Sequence, residues 1–165
     1  MAVATILRAP DRLSAAQQKK TTTLYLAGTF ADSWRDAVIA ALHDLDVTII
    51  DPRNDRWPEL PVGSPGRRGA YDWQMSMAFD ADVVIVWVPT GAVAPTALMI
   101  LGALGVKRNN AKRGNTVVVG GEGHGGLVGL FARNQRLFPV AEDLGEVIRI
   151  ARLQLEALIA ARSGA

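Results

Sequence analysis

Apolar positions in this chain fall into two patterns that alternate along its length. Short continuous runs come as TTLYLAG (22–28), VTII (47–50), DVVIVWV (82–88) and TVVVGG (116–121). Runs of this length, rich in β-branched residues and apolar on both faces, predict strands buried inside a sheet. Between them lie stretches with helical spacing. In DSWRDAVIAALHDL (32–45), Trp34, Val38, Ala41, Leu42 and Leu45 recur on one face, and Asp32 or Ser33 can cap the start. AYDWQMSMAFDA (70–81) and APTALMILGALGV (94–106) also read as helices, the second with Pro95 at its start, where a missing N–H costs nothing. RLFPV (136–140) predicts a brief fifth strand. AEDLGEVIRIARLQLEALIAA (141–161) predicts a long amphipathic helix that packs through Leu144, Val147, Ile148, Ala151, Leu155, Leu158 and Ile159.

Strands alternating with helices imply a mostly parallel sheet covered on both faces. Five strands favour an α/β, doubly wound fold of the flavodoxin-like or Rossmann-like kind. Residues 1–20 turn polar and irregular and are expected to form a flexible N-terminal tail, leaving 21–165 as a single domain. DPRNDRWPELPVGSPGRRG (51–69) reads as a long loop, and GEGHGGLVGLFARNQ (121–135) as a glycine-rich connection with room for a short helix.

Composition narrows the function classes. The chain has 165 residues, 49% hydrophobic and 21% charged, the profile of a globular protein. No apolar run approaches the roughly 20 residues of a membrane span, and the first twenty residues make a poor signal peptide. Cysteine is absent, which excludes disulfides and thiolate chemistry and fits a cytoplasmic location. The net charge is only +2, and the basic clusters GRRG and KRNNAKRG fall in expected loops, where solvated surface accounts for them. A nucleic-acid partner is not expected.

In a doubly wound sheet a ligand binds beyond the carboxyl ends of the strands, near the reversal of strand order. That rule selects AGTF (27–30), DPRNDRW (51–57), PTGAVAPT (89–96) and GGEGHGG (120–126). AGTF has a single glycine, Gly28, and no dinucleotide fingerprint; Tyr25 in the preceding strand reads as half core, with a hydroxyl able to reach the cleft. DPRNDRW crowds Asp51, Arg53, Asn54, Asp55 and Arg56 around Trp57. The indole offers a flat base an aromatic face and the carboxylates suit sugar hydroxyls, although acids and bases in such a stretch can equally pair with each other. Tyr71, Asp72, Trp73 and Gln74 suit a pocket wall; Asp72 also suits the first turn of a helix. Backbone amides of GGEGHGG could wrap a phosphate, but no Gly-Lys-Ser/Thr follows. Glu122 and His124 lack further metal ligands, so no metal is expected. His43 reads as an exposed helix residue.

Taken in order, LYLAGTF, IIDPRNDRW, YDWQMSMAFDADVVIVWVP and APTALMILGALG resemble the nucleoside 2-deoxyribosyltransferase-like family from about Leu24 to Gly121. Members cut or exchange N-glycosidic bonds of deoxynucleosides or hydrolyse nucleotides. The resemblance implies a nucleoside or nucleotide ligand, no cofactor, and commonly a homo-oligomer. It assigns Tyr25 and Asp72 to catalysis and Arg53, Asp55 and Trp57 to the base-holding loop. Gly28, Phe30, Asp51, Trp73, Pro89, Thr90, Gly121 and Glu122 complete the rim.

One assignment does not transfer. In the family a glutamate of a Leu-Glu-Leu-Gly segment attacks the anomeric carbon, the covalent strategy of a carboxylate facing an oxocarbenium-like transition state. Here that position is Ile100, and Ala94 stands where the family usually has a polar residue earlier in the segment. Leu98, Met99 and Leu101 beside it are equally inert. The sequence therefore favours retained recognition over retained family chemistry. Two alternatives stay open: an active N-glycosidase or transferase using a relocated carboxylate (Asp51, Asp55, Asp72 or Glu122), and a structural or regulatory oligomer.

Overall fold

A computed structural model describes residues 3–30, 33–89, 91–92, 94–110, 116–121 and 138–164. The chain runs β1 (Thr5–Arg8), α1 (Ala15–Lys20), β2 (Thr22–Gly28), α2 (Trp34–Ala41), β3 (Val47–Asp51), α3 (Pro65–Asp80), β4 (Val83–Trp87), α4 (Pro95–Asn110), β5 (Thr116–Gly120), β6 (Val140–Ala141) and α5 (Leu144–Ser163). The strands form one parallel sheet in the order β1-β3-β2-β4-β5-β6. Strands β2 to β6 alone give the flavodoxin-like order, with β1 added beyond β3. Among the described residues no helix is long and apolar enough to cross a membrane.

Strand periodicity sorts the core into two layers. Leu24 and Leu26 of β2, with Val83 and Ile85 of β4, face α2 and α5, where Trp34, Val38, Leu42, Val147, Ala151 and Leu155 are buried. Tyr25 and Ala27, with Val84 and Val86, face α3 and α4, where Trp73, Met77, Ile100, Leu101 and Leu104 close the other layer. Each fully buried aliphatic side chain contributes about 1.5–3 kcal/mol to folding before entropy is counted. At the amino end of the sheet, Asp82 accepts from Thr23 N at 2.8 Å and Thr23 Oγ1 at 2.9 Å, and holds Arg162 of α5 at 2.8 Å. The aspartate of the Ala-Asp-Val-Val segment thus ties the end of α5 to the start of β2, on the sheet edge opposite the strand carboxyl ends.

The architecture follows the alternation expected from sequence, with three differences. Residues 1–20 are not a loose tail throughout: Thr5–Arg8 pair with β3, and Ala15–Lys20 form a helix whose Ser14 cap and Gln17 make a reciprocal capping box. A four-residue edge strand with mostly exposed side chains leaves little hydrophobic signature, because its backbone pairing supplies the order. The sheet consequently has six strands rather than five. The loop after β3 is also shorter than expected: α3 begins at Pro65, with Ser64 Oγ accepting from Arg67 N at 3.1 Å. A serine cap followed by proline is a helix-start signal inside GSPGRRG, and it turns Arg67 from loop surface into the first turn of a helix. The fifth expected strand is observed as Val140–Ala141; Phe138 packs into the core just before it.

Candidate functional site

The chain leaves β2 towards β3 on one side and returns to β4 on the other, so a crevice opens beyond the carboxyl ends of β2 and β4. A pocket of about 240 Å³ occupies it. Four segments build its wall. Gly28, Thr29 and Phe30 come from the end of β2, and Asn54, Trp57 and Pro58 from the loop after β3. Arg67, Tyr71 and Gln74 lie on one face of α3 at helical spacing, and Ala94 to Ala97 form the start of α4. The volume suits a small ligand held mainly by three aromatic side chains, with a few hydroxyl and amide groups to orient it.

Strong local interactions fix the shape of this wall. An ideal Cβ on Gly28 would stand 2.3 Å from Trp87 O and 2.7 Å from Trp34 Cζ2, so only glycine lets the turn pass this closely. Arg35 is fully buried and donates to the carbonyls of Leu26, Gly28 and Thr29. Its guanidinium lies 4.5 Å from the Trp34 ring centroid and 5.1 Å from that of Phe30. Burial pushes the Arg35 guanidinium down to about 10, which still leaves it charged at neutral pH. On the opposite wall, Trp57 meets Trp73 edge to face, with centroids 5.5 Å apart and planes at 69°. Trp73 Nε1 donates to Asp11 O at 3.0 Å, and Asn54 Nδ2 to Ala9 O at 3.0 Å. The segment after β1 therefore buttresses the wall from behind.

Of the residues singled out from sequence, Gly28, Phe30, Asn54, Trp57, Tyr71 and Gln74 line the pocket, and Trp73 supports Trp57 from the core. Tyr25 lies fully buried beneath α3 and α4; its hydroxyl has no hydrogen-bond partner, and burial holds its pKa far above the ordinary tyrosine value. Asp51 is fully buried among arginines: 2.7 Å from Arg53, 3.8 Å from Arg35 and 3.9 Å from Arg8. Arg53 also grips Asp36 at 2.6 Å. Neither Asp51 nor Arg53 lines the pocket; they pair with each other, the alternative that the sequence left open. Asp55 and Asp72 are exposed and stand outside the lining, as do Pro89 and the half-buried Gly121, whose Cβ would meet Val88 O at 2.2 Å. Thr90, Glu122 and His124 lie outside the described residues. Ile100 is fully buried in the core cluster under α4.

One lining residue departs from the sequence expectation: Arg67 falls in a basic cluster that reads as solvated surface, and the Ser-Pro signal places it at the start of α3. Gln74 lines the pocket where Asp72, two residues earlier, points elsewhere on the helix. Thr96 comes from the first turn of α4. Among the described lining residues there is no carboxylate, and Arg67 is the charged one. No group of three His, Asp or Glu side chains able to hold a metal occurs among the described residues.

No curated protein matches the chain. A family model described as "Nucleoside 2-deoxyribosyltransferase like" matches residues 21–119, which is more than half of the chain. That span runs from the start of β2 to within β5 and carries all the described lining residues. The chain belongs to the nucleoside 2-deoxyribosyltransferase-like family.

Proposed function

We propose that this protein binds a nucleoside or nucleotide in the pocket at the β2/β4 crevice and does not cleave its N-glycosidic bond by the family's covalent route. The observation that carries this reading is the absence of any carboxylate from the described pocket lining, together with a fully buried Ile100 at the nucleophile position. An isoleucine has no lone pair to offer carbon and no proton to offer a leaving base. Losing an attacking carboxylate removes several kcal/mol of transition-state stabilisation, whereas stacking and hydrogen bonding can sustain affinity alone. Phe30, Trp57 and Tyr71 supply the aromatic faces, and Thr29, Gln74 and Thr96 the polar groups. Tyr25 and Asp72 keep no chemical role in this reading.

A relocated carboxylate finds little support among the described residues. Asp51 is enclosed by three arginines, and Asp55 and Asp72 face solvent away from the lining. Homo-oligomerisation remains part of the proposal on the strength of the family and the exposed apolar side chains Met99 and Val106 on α4.

The test is a panel of nucleosides and nucleoside 5′-monophosphates, with melting temperature and free base followed on the same samples. Ligands that raise the melting temperature without releasing base support the proposal. Catalytic release of base, abolished in Asp72→Ala or Asp55→Ala, would establish the relocated-carboxylate enzyme instead. A panel that neither shifts melting nor releases base would leave a structural role.

A further inference from the structure

Among the described residues the arginines divide sharply by the company they keep. Arg8, Arg35 and Arg53 meet Asp51, Arg149 meets Glu146, Arg152 meets Asp44, and Arg162 meets Asp82. Arg12, Arg56 and Arg68 are exposed, where water compensates the charge. Arg67 fits neither group. It is half-buried in the pocket wall, with no carboxylate within ion-pair distance among the described residues. One of its terminal nitrogens donates to the neutral carbonyl of Trp57, its Nε is buried without a partner, and its charge lies 5.9 Å from the Tyr71 ring centroid.

We propose that the ligand carries a phosphate ester, and that Arg67 recognises it; this rests on the reading of the pocket as a nucleoside-type site. A guanidinium held at a cavity wall without a counter-charge is a site of positive potential that an anion relieves. The same cavity is lined by the first turn of α4, Ala94 to Ala97. The positive end of a helix, with amide N–H groups that lack intrahelical acceptors, adds to that potential. No described lining residue is acidic, so nothing in the described wall repels an anion. Stacking on Trp57 or Tyr71 leaves the base sequence-tolerant, which assigns selectivity to the phosphate rather than to the base.

Binding is measured by titration calorimetry with adenosine, uridine, thymidine, their 5′-monophosphates and inorganic phosphate. The full chain binds the monophosphates about tenfold or more tightly than the nucleosides, the scale of a charge-assisted hydrogen bond. Raising the salt concentration shrinks that preference and leaves nucleoside affinity unchanged. In Arg67→Gln the monophosphate preference disappears, and in Arg67→Lys part of it returns. Because Arg67 also braces Trp57, Arg67→Gln removes a contact of the loop as well, so the salt response of the unaltered protein is the deciding readout. Nucleosides that bind as tightly as monophosphates overturn the role of Arg67 while leaving the nucleoside site intact, and so does a preference that salt leaves unchanged. Failure of both nucleosides and monophosphates to bind overturns the nucleoside-type reading itself.

Discussion

Arg35 and Asp51 stand 3.8 Å apart with both side chains fully removed from solvent. Asp51 also accepts from Arg53 Nε at 2.8 Å and from the Arg53 backbone N at 3.1 Å. The pair joins the turn after β2 to the end of β3, directly behind the pocket. Removing one member of a buried pair leaves the other charge uncompensated, so Asp51→Asn is expected to destabilise the fold by about 3–5 kcal/mol. Urea denaturation measures this. An Asp51→Asn protein of unchanged stability that fails to bind nucleosides would instead return Asp51 to the sugar-gripping role.

Tyr25 presents the opposite situation. A buried hydroxyl without a partner costs about 1–3 kcal/mol relative to one that is satisfied or absent. Tyr25→Phe is therefore expected to leave stability unchanged or to raise it by about 1 kcal/mol. A loss of more than that in denaturation, or a loss of ligand affinity, would show that the hydroxyl has work the geometry does not reveal.

Trp57 is half-buried and reaches the pocket from a loop, with Trp73 behind it in the core. Trp57→Ala removes the stacking face and leaves Trp73 to hold the helix. Stacking of a base on an aromatic ring amounts to about 1–3 kcal/mol, so nucleoside affinity is expected to fall between roughly fivefold and a hundredfold. Circular dichroism should stay that of the parent. Full affinity in the folded variant would place the base elsewhere in the pocket.

Acid should weaken the fold through its paired carboxylates. Hydrogen bonds from Arg53, Arg152 and Arg149 hold Asp36, Asp44 and Glu146 below their ordinary carboxylate values. The unfolded chain takes up these protons first as pH falls. The stabilisation is thus complete above the ordinary carboxylate range of about pH 4–5 and is lost as pH drops through the folded values. Melting temperature between neutral pH and pH 3 should fall, and Asp36→Asn should flatten the fall. A melting temperature that rises on acidification contradicts the assignment.

The doubly wound sheet was legible because β2 to β5 are apolar on both faces, a pattern with few other solutions. Strand β1 was not, since Ile6 and its neighbours at the edge look no different from a surface loop. The crevice followed from topology, and Gly28, Phe30 and Trp57 followed from the crevice. Asp51 and Arg53 were visible as charged residues, but the buried Arg35 that claims Asp51 lies on another element, and pairing across a fold leaves no trace in local spacing. Arg67 carries two opposed signals: its basic neighbours suggest solvent, while Ser64 and Pro65 mark the helix that carries it into the wall.

The most direct test of recognition without cleavage is a saturation-transfer proton spectrum of the sugar H1′ of thymidine and of its 5′-monophosphate, recorded over time with the full chain. Recognition without cleavage gives saturation transferred from protein to ligand, and an H1′ signal whose integral stays constant. Loss of the H1′ signal with growth of free thymine would contradict it, and so would the absence of any transfer to either ligand.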